Sequence, residues 1–298
     1  MRALYVLILS LLTFSTVYAQ WTNQNPIPND NDLTSTFFID DSTGWIVGSE
    51  GFIIKTTNTG LDWIQQTSGT TFTLISVKFI TSNIGWICGE GGIILKTTDG
   101  GQNWYELINS TAEVLTDVFF TDIDTGWVVG YGGTILKTID GGSSWTDQNS
   151  DSSFDLYALY FVNNMVGYAG GVTADDPKFL KTTDGGIDWI DLSSNFPGFG
   201  VHYNWISSIK FLDESSGFVG TAIAGGAGSM WETTDGGENW ISATFIYPNL
   251  SNKSNEKIKG YFEYGLSSIY LDNSNVGYAV NNLTGPWDIE IYTTTDGG

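Results

Sequence analysis

The side chains best placed for chemistry in this 298-residue sequence are carboxylates set among aromatics in its longer inter-repeat segments. Asp175 and Asp176 are adjacent, and Asp288 follows Trp287. Phe196, Phe199, His202, Tyr203 and Trp205 share one segment, and Tyr261, Phe262, Glu263 and Tyr264 another. Two carboxyl groups facing each other across a cleft, separated by roughly 5 to 10 Å, can protonate a glycosidic oxygen and supply a nucleophile or base. Aromatic faces beside them would hold a sugar or a peptide. The simpler use of such aromatics is to pack long loops onto a scaffold. Paired aspartates could likewise bind calcium, but on a turn they serve as solvated polar groups. His202 is the single histidine and Cys88 the single cysteine, so the sequence has no His/Cys cluster for a metal and no cofactor motif. Cys88, in the apolar stretch Gly85 to Gly89, reads as a small buried hydrophobe.

The charge balance narrows the partner. Thirty-three acids stand against eleven bases, a net charge of −22. Arg2 is the single arginine, and it lies in a segment that reads as an export signal: Ala3 to Leu12 form an apolar run, and Val17-Tyr18-Ala19 a small-residue cleavage site. A mature chain beginning at Gln20 would keep ten lysines against 33 acids, or −23. Such a surface repels a phosphate backbone, so nucleic acid is excluded as a partner. The apolar run is too short to span a bilayer comfortably. A secreted, periplasmic or cell-surface location is expected, for a monomeric protein that is not embedded in a membrane.

The elements that must position these residues come from one repeat. Its turn motif recurs with Asn58 and Trp63, Asp99 and Trp104, Asp140 and Trp145, Asp184 and Trp189, Asp235 and Trp240, and finally Asp296. The Asp or Asn positions are spaced by 41, 41, 44, 51 and 61 residues, so insertions accumulate late in the chain. A Gly-aromatic pair keeps step with it at Gly44-Trp45, Gly85-Trp86, Gly126-Trp127, Gly167-Tyr168, Gly217-Phe218 and Gly277-Tyr278. Alternating stretches such as Leu74 to Ile80 precede each pair and read as inner strands. Each repeat therefore predicts four antiparallel strands. Sheets of this kind bury both faces when arranged radially, which predicts an all-β propeller in one domain, residues 20–298. In the turn, the Asp or Asn oxygen accepts downstream N–H groups while Gly-Gly supplies positive φ. Thr59 in place of the first Gly predicts a less regular first turn.

Strand counting places function. Turns A to B and C to D share one face, and B to C and D to A the other. The repeated motif is a C-to-D turn, whereas the insertions 172–177, 193–205, 221–228, 244–264 and 281–288 all fall on the opposite face. That face, with Asp175, Asp176, Phe199, His202, Tyr203, Trp205, Tyr261, Tyr264, Trp287 and Asp288, is the expected ligand face. Trp21 to Gln24 resembles a D strand without a preceding turn motif, and is expected to complete the last blade.

The turn motif resembles the Asp-box, or bacterial neuraminidase repeat, and the fuller pattern Gly-Trp-x-x-Gly-x-x-Gly-x-Ile-Leu-Lys-Thr-Thr-Asp-Gly-Gly-x-x-Trp is most similar to photosystem II stability and assembly factor-like propellers. That resemblance implies seven blades in a complete ring, a structural role for the boxes, and assistance to assembly of a membrane complex. Asp boxes also occur in sialidases and xyloglucanase-type hydrolases. Sialidases hold their substrate with three arginines, which this sequence lacks, so that activity is excluded. A basic, arginine-bearing surface associated with photosynthetic members is also missing. The expected function is a non-enzymatic scaffold that binds protein or glycan through the inserted loops. The alternatives are a carboxylate-based glycoside hydrolase and an assembly factor of the photosystem II type.

Overall fold

The computed structural model describes residues 31–148, 154–173, 176–196, 204–223, 226–242, 244–246, 257–259, 266–271, 277–281 and 291–294. The leader at 1–19, the orphan strand at 21–24, Asp175, Phe199, His202, Tyr203, Tyr261, Tyr264, Trp287, Asp288 and Asp296 lie outside them.

Five four-stranded antiparallel sheets follow one another along the chain. The first contains β1 (Leu33–Phe38), β2 (Gly44–Gly48), β3 (Phe52–Thr56) and β4 (Ile64–Thr67). The second contains β5 (Leu74–Phe79), β6 (Gly85–Gly89), β7 (Ile94–Thr97) and β8 (Tyr105–Glu106). The third is β9 (Leu115–Phe120), β10 (Gly126–Gly130), β11 (Ile135–Thr138) and β12 (Thr146–Asp147). The fourth is β13 (Asp155–Phe161), β14 (Gly167–Val172), β15 (Pro177–Thr182) and β16 (Ile190–Asp191). The fifth is β17 (Asn204–Phe211), β18 (Gly217–Ile223), β19 (Gly226–Thr233) and β20 (Ile241–Ser242). A hairpin of β21 (Thr244–Ile246) and β22 (Lys257–Lys259) comes next, then a sheet of β23 (Leu266–Leu271), β24 (Gly277–Asn281) and β25 (Ile291–Thr294). The first strands of successive sheets lie side by side, so they are innermost and the sheets are blades. Helical structure among the described residues is limited to short 3-10 turns.

The apolar positions are shared between neighbours. One cluster joins Trp45, Val47 and Ile53 of blade 1 to Leu74, Phe79, Ile87 and Trp104 of blade 2. The next joins Trp86, Cys88 and Ile94 of blade 2 to Leu115, Phe120, Val128 and Leu136 of blade 3. Blades 3 and 4, then 4 and 5, repeat the arrangement. Each fully buried large side chain contributes roughly 1.5–3 kcal/mol, and these contributions accrue only when two blades meet.

Both glycines of the Gly-aromatic-x-x-Gly strand are dictated by close approach. A Cβ on Gly85 would lie 2.5 Å from the Phe79 ring, and one on Gly89 would lie 2.2 Å from the Thr73 carbonyl oxygen. The same contacts recur at Gly126 with Phe120 and at Gly130 with the Val114 carbonyl oxygen. The inner strands carry a bulge at a fixed place, between Leu74 and Ser76 in β5 for example. In β9 the bulged Thr116 donates to Val129 O at 3.2 Å and to Leu156 O of the next blade at 2.7 Å.

The insertions depart from simple loops. Val172 pairs with Pro177 and Ile223 with Gly226, so two of the B-to-C insertions lengthen hairpins. Part of the D-to-A insertion after blade 5 forms the β21–β22 hairpin, which strand counting did not foresee. Trp205 lies within β17, paired with Ala222, because the longer hairpin extends the inner strand. Phe196 is buried against Phe179 and Trp240, stacking on the latter at 4.6 Å and 12°. The outer strands are short, two residues in four of the five sheets, which limits the unpaired edge they present.

Candidate functional site

The box is built from a threonine, a carboxylate and two glycines. In blade 2, Thr97 Oγ1 donates to Asp99 Oδ1 at 2.9 Å and accepts from Gly101 N at 2.8 Å. Asp99 Oδ1 accepts from Asn103 N at 2.9 Å and Oδ2 from Asn103 Nδ2 at 2.7 Å. Gly100 and Gly101 hold φ of 74° and 90°, the left-handed region in which glycine has no Cβ penalty. Asp140 and Asp235 repeat the pattern with Ser144 and Asn239. Asp184 accepts from Thr182 Oγ1 and Asp188 N. The first turn is as regular as the rest, contrary to expectation. Thr59 adopts φ of 61°, and Asn58 Oδ1 still accepts from Thr56 Oγ1 and Asp62 N. Its amide then donates to Asp62 Oδ2 at 2.8 Å, which places the carboxylate at the other end of the pair.

The box also receives two groups from the preceding blade, an arrangement the repeat alone did not reveal. Trp45 Nε1 and Lys55 Nζ both donate to Gly100 O, at 3.3 and 3.0 Å. Trp86 and Lys96 do the same to Gly141 O at 3.1 and 2.7 Å. Trp127 Nε1 donates to Gly185 O at 3.0 Å. Tyr168 Oη and Lys181 Nζ both reach Gly236 O. Each indole stacks on the inner-strand phenylalanine of the next blade, Trp86 on Phe120 at 3.6 Å and 9°. The box tryptophan, here Trp145, meets the other side of that ring edge-on at 6.1 Å. Burial holds Lys55 and Lys96 below the usual lysine range; Asp99 opposes that shift at Lys55, and Asp124 then Asp140 oppose it at Lys96. Trp63, Trp104, Trp145, Trp189 and Trp240 are therefore packing groups, and the Lys three residues before a box Asp or Asn, with the Trp paired opposite it, forms an inter-blade latch to the next box.

These carboxylates are committed to turns. Hydrogen bonds from the Asn103 and Ser144 side chains, then their backbone N–H groups, lower Asp99 and bring Asp140 down to about 2. A group depressed in the folded state contributes stability that is complete above its unfolded value and is lost as pH falls through the folded one. The boxes thus weaken between about pH 4 and pH 2. Asp117 has the opposite sign. It is half-buried and raised to about 6 by desolvation, although Ser76 Oγ, Leu159 N and Val118 N donate to it. Its contribution is complete below about pH 4 and is lost as pH rises through about 6. Thermal unfolding followed from pH 2 to 8 should peak between those limits. Asp140→Asn should reduce the slope of the acid limb alone.

Of the expected ligand-face residues, Asp176 and Trp205 lie among the described ones. Asp176 is exposed on its hairpin turn, its N–H donating to Thr173 Oγ1 at 3.0 Å. Trp205 is partly buried in β17. Among the described residues there is no group of three or more His, Cys, Asp or Glu suited to a metal. No described helix is long and apolar enough to cross a membrane. Two open clefts are present among the described residues. One is lined by Glu50, Gln65 and Ser68 to Thr71, on the insertion face of blade 1. The other, of about 770 Å³, is lined by Phe119, Asp122, Phe161, Asn163, Met165 and Glu214, on the box face.

Comparison with known proteins agrees with this geometry. The profile of the family described as Photosynthesis system II assembly factor YCF48 matches residues 14–112 and 107–240. No curated protein matches the chain. Among solved structures, "YCF48 bound to D1 peptide" superposes with TM-score 0.66 at 19% identity, covering 92% of this chain and 81% of that one. YCF48 from Cyanidioschyzon merolae gives 0.53 at 17% identity, covering 92% and 98%. The GH74 xyloglucanase from Xanthomonas campestris gives 0.61 at 11% identity, covering 82% of this chain and 44% of that one. At these identities the structural likenesses establish the β-propeller fold, while the profile establishes the family. The chain is a β-propeller that belongs to the Photosynthesis system II assembly factor YCF48 family.

Proposed function

We propose that the chain is a non-enzymatic assembly factor: a rigid, exported, monomeric propeller that holds a segment of a partner protein. The observation that carries this reading is the family match over residues 14–240, supported by a structural relative described as bound to a D1 peptide. The described box carboxylates favour it, because each is engaged in holding a turn. The partner differs from one met by a basic surface, since arginine is absent after Arg2 and the net charge is −22. A neutral or cationic protein segment suits that surface, and the inserted loops opposite the boxes are where it would dock.

Capture of partner proteins from extracts of the source cells by the intact chain, compared with a variant lacking residues 247–256, tests this. The same protein should be retained by the intact chain and lost on deletion. Equal retention by both would remove the inserted face from the account. Release of sugar from xyloglucan, at a rate abolished by a carboxylate substitution, would replace the reading with a hydrolase.

A further inference from the structure

The lysines are distributed unevenly by role. Lys55, Lys96 and Lys181 hold box carbonyls, Lys137 lies over Trp127 beside the next box, and Lys178 pairs with Asp191 at 2.9 Å. Lys78 and Lys210 have no hydrogen bond or ion pair among the described residues. They occupy the same register position on the innermost strands of blades 2 and 5, opposite Trp86 and Phe218. At that position blades 1, 3 and 4 present Phe37, Phe119 and Tyr160. Lys78 Nζ lies 5.0 Å from the Phe37 ring centre and 4.8 Å from that of Phe119. Lys210 Nζ lies 5.0 Å from that of Tyr160. The described inner wall, over blades 1 to 5, is therefore a belt of two ammonium groups separated by aromatic faces.

We propose that this belt is a binding site for a small organic carboxylate. Partly buried ammonium groups without a counter-ion are costly, and aromatic faces compensate them only in part. Burial lowers both lysines, and Lys78 is lowered further by Lys210, so the two charges sense each other. Asp117 attracts Lys78, but it is one carboxylate against two ammonium groups and its oxygens already accept three hydrogen bonds. Among the described residues one positive charge is left over, and a ligand carboxylate in the belt would neutralise it. A phosphate suits the belt less well, because phosphate sites favour guanidinium forks or several convergent N–H donors. The aromatic faces fit a short apolar stem. Phe119, beside Lys78, also lines the box-face cleft.

Succinate is the probe and succinamide its uncharged control, at constant ionic strength. Succinate should raise the melting temperature saturably, and the K78M/K210M variant should lose that rise. It should also slow reductive methylation of Lys78 and Lys210 several-fold in the wild-type chain while leaving Lys178 unchanged, a readout independent of whether the variant folds. An equal rise with succinamide, unprotected Lys78 and Lys210, or a rise that persists in a folded K78M/K210M variant would overturn the proposal. A larger effect from inorganic phosphate than from succinate would overturn the carboxylate assignment.

Discussion

Trp86→Ala should lower stability by about 3–5 kcal/mol, the range for removing a fully buried large aromatic. Trp86 is 0% exposed and acts in three ways: it stacks on Phe120, donates to Gly141 O and supports Lys96, whose Nζ lies 5.3 Å from its ring centre. Trp86→Phe keeps an aromatic face and loses the N–H, so it should cost about 1–2 kcal/mol beyond any loss of ring area. Lys96 donates to the same oxygen, so the Trp86→Phe and Lys96→Met substitutions should be non-additive, with a coupling of about 0.5–3 kcal/mol. Urea unfolding of the single and double variants measures this. Strict additivity, or a loss below about 1 kcal/mol for Trp86→Ala, would show that the latch contributes little.

Gly126→Ala should be strongly destabilising. The new Cβ would sit 2.5 Å from the Phe120 ring, which is fixed between Trp86 and Trp145 and has no room to retreat. Overpacking of this kind costs about 1–3 kcal/mol. Phe120→Leu in the Gly126→Ala background should recover part of the loss, because it removes the atoms the methyl meets. Gly132→Ala is the contrast. At φ of 64°, with nothing within 4 Å of the added Cβ, it should cost only the left-handed backbone penalty of about 1–2 kcal/mol. Melting temperatures of the three variants check the order. If Gly132→Ala were the worse substitution, ring crowding would not be what conserves space at Gly126.

Much of the fold was legible because one pattern states itself six times. The inner strands fall within two residues of where alternation placed them, Leu74–Phe79 against Leu74 to Ile80, and the Asp-to-backbone logic of the box is as expected. The latch was not legible. Trp86 and Gly141 lie 55 residues apart, and nothing in a single repeat says which blade its Trp and Lys will touch. The signal was present in the fixed register of Trp86 opposite Lys96, which puts both on one face of the sheet. Regularity at Thr59 was also missed, since propensity weighs against positive φ at threonine while the hydrogen bonds of the turn outweigh it. The candidate ligand face was the least legible. Of its residues, Asp176 and Trp205 can be placed, and Trp205 proved to belong to a lengthened strand. Insertions lack the repetition that made the rest readable.

The repeat signature joins each blade to the next. Native-state hydrogen exchange tests it most directly. In blade 5 Phe218 opposite Glu232 stands where blades 1 and 2 have the indole N–H and the ammonium that donate to the next box carbonyl. Amides of β6, β10 and β14 should open together, near the global unfolding limit, and those of β18 and β19 should exchange markedly faster. Equal protection of β18 and β10, or independent opening of β6, β10 and β14, would contradict the account.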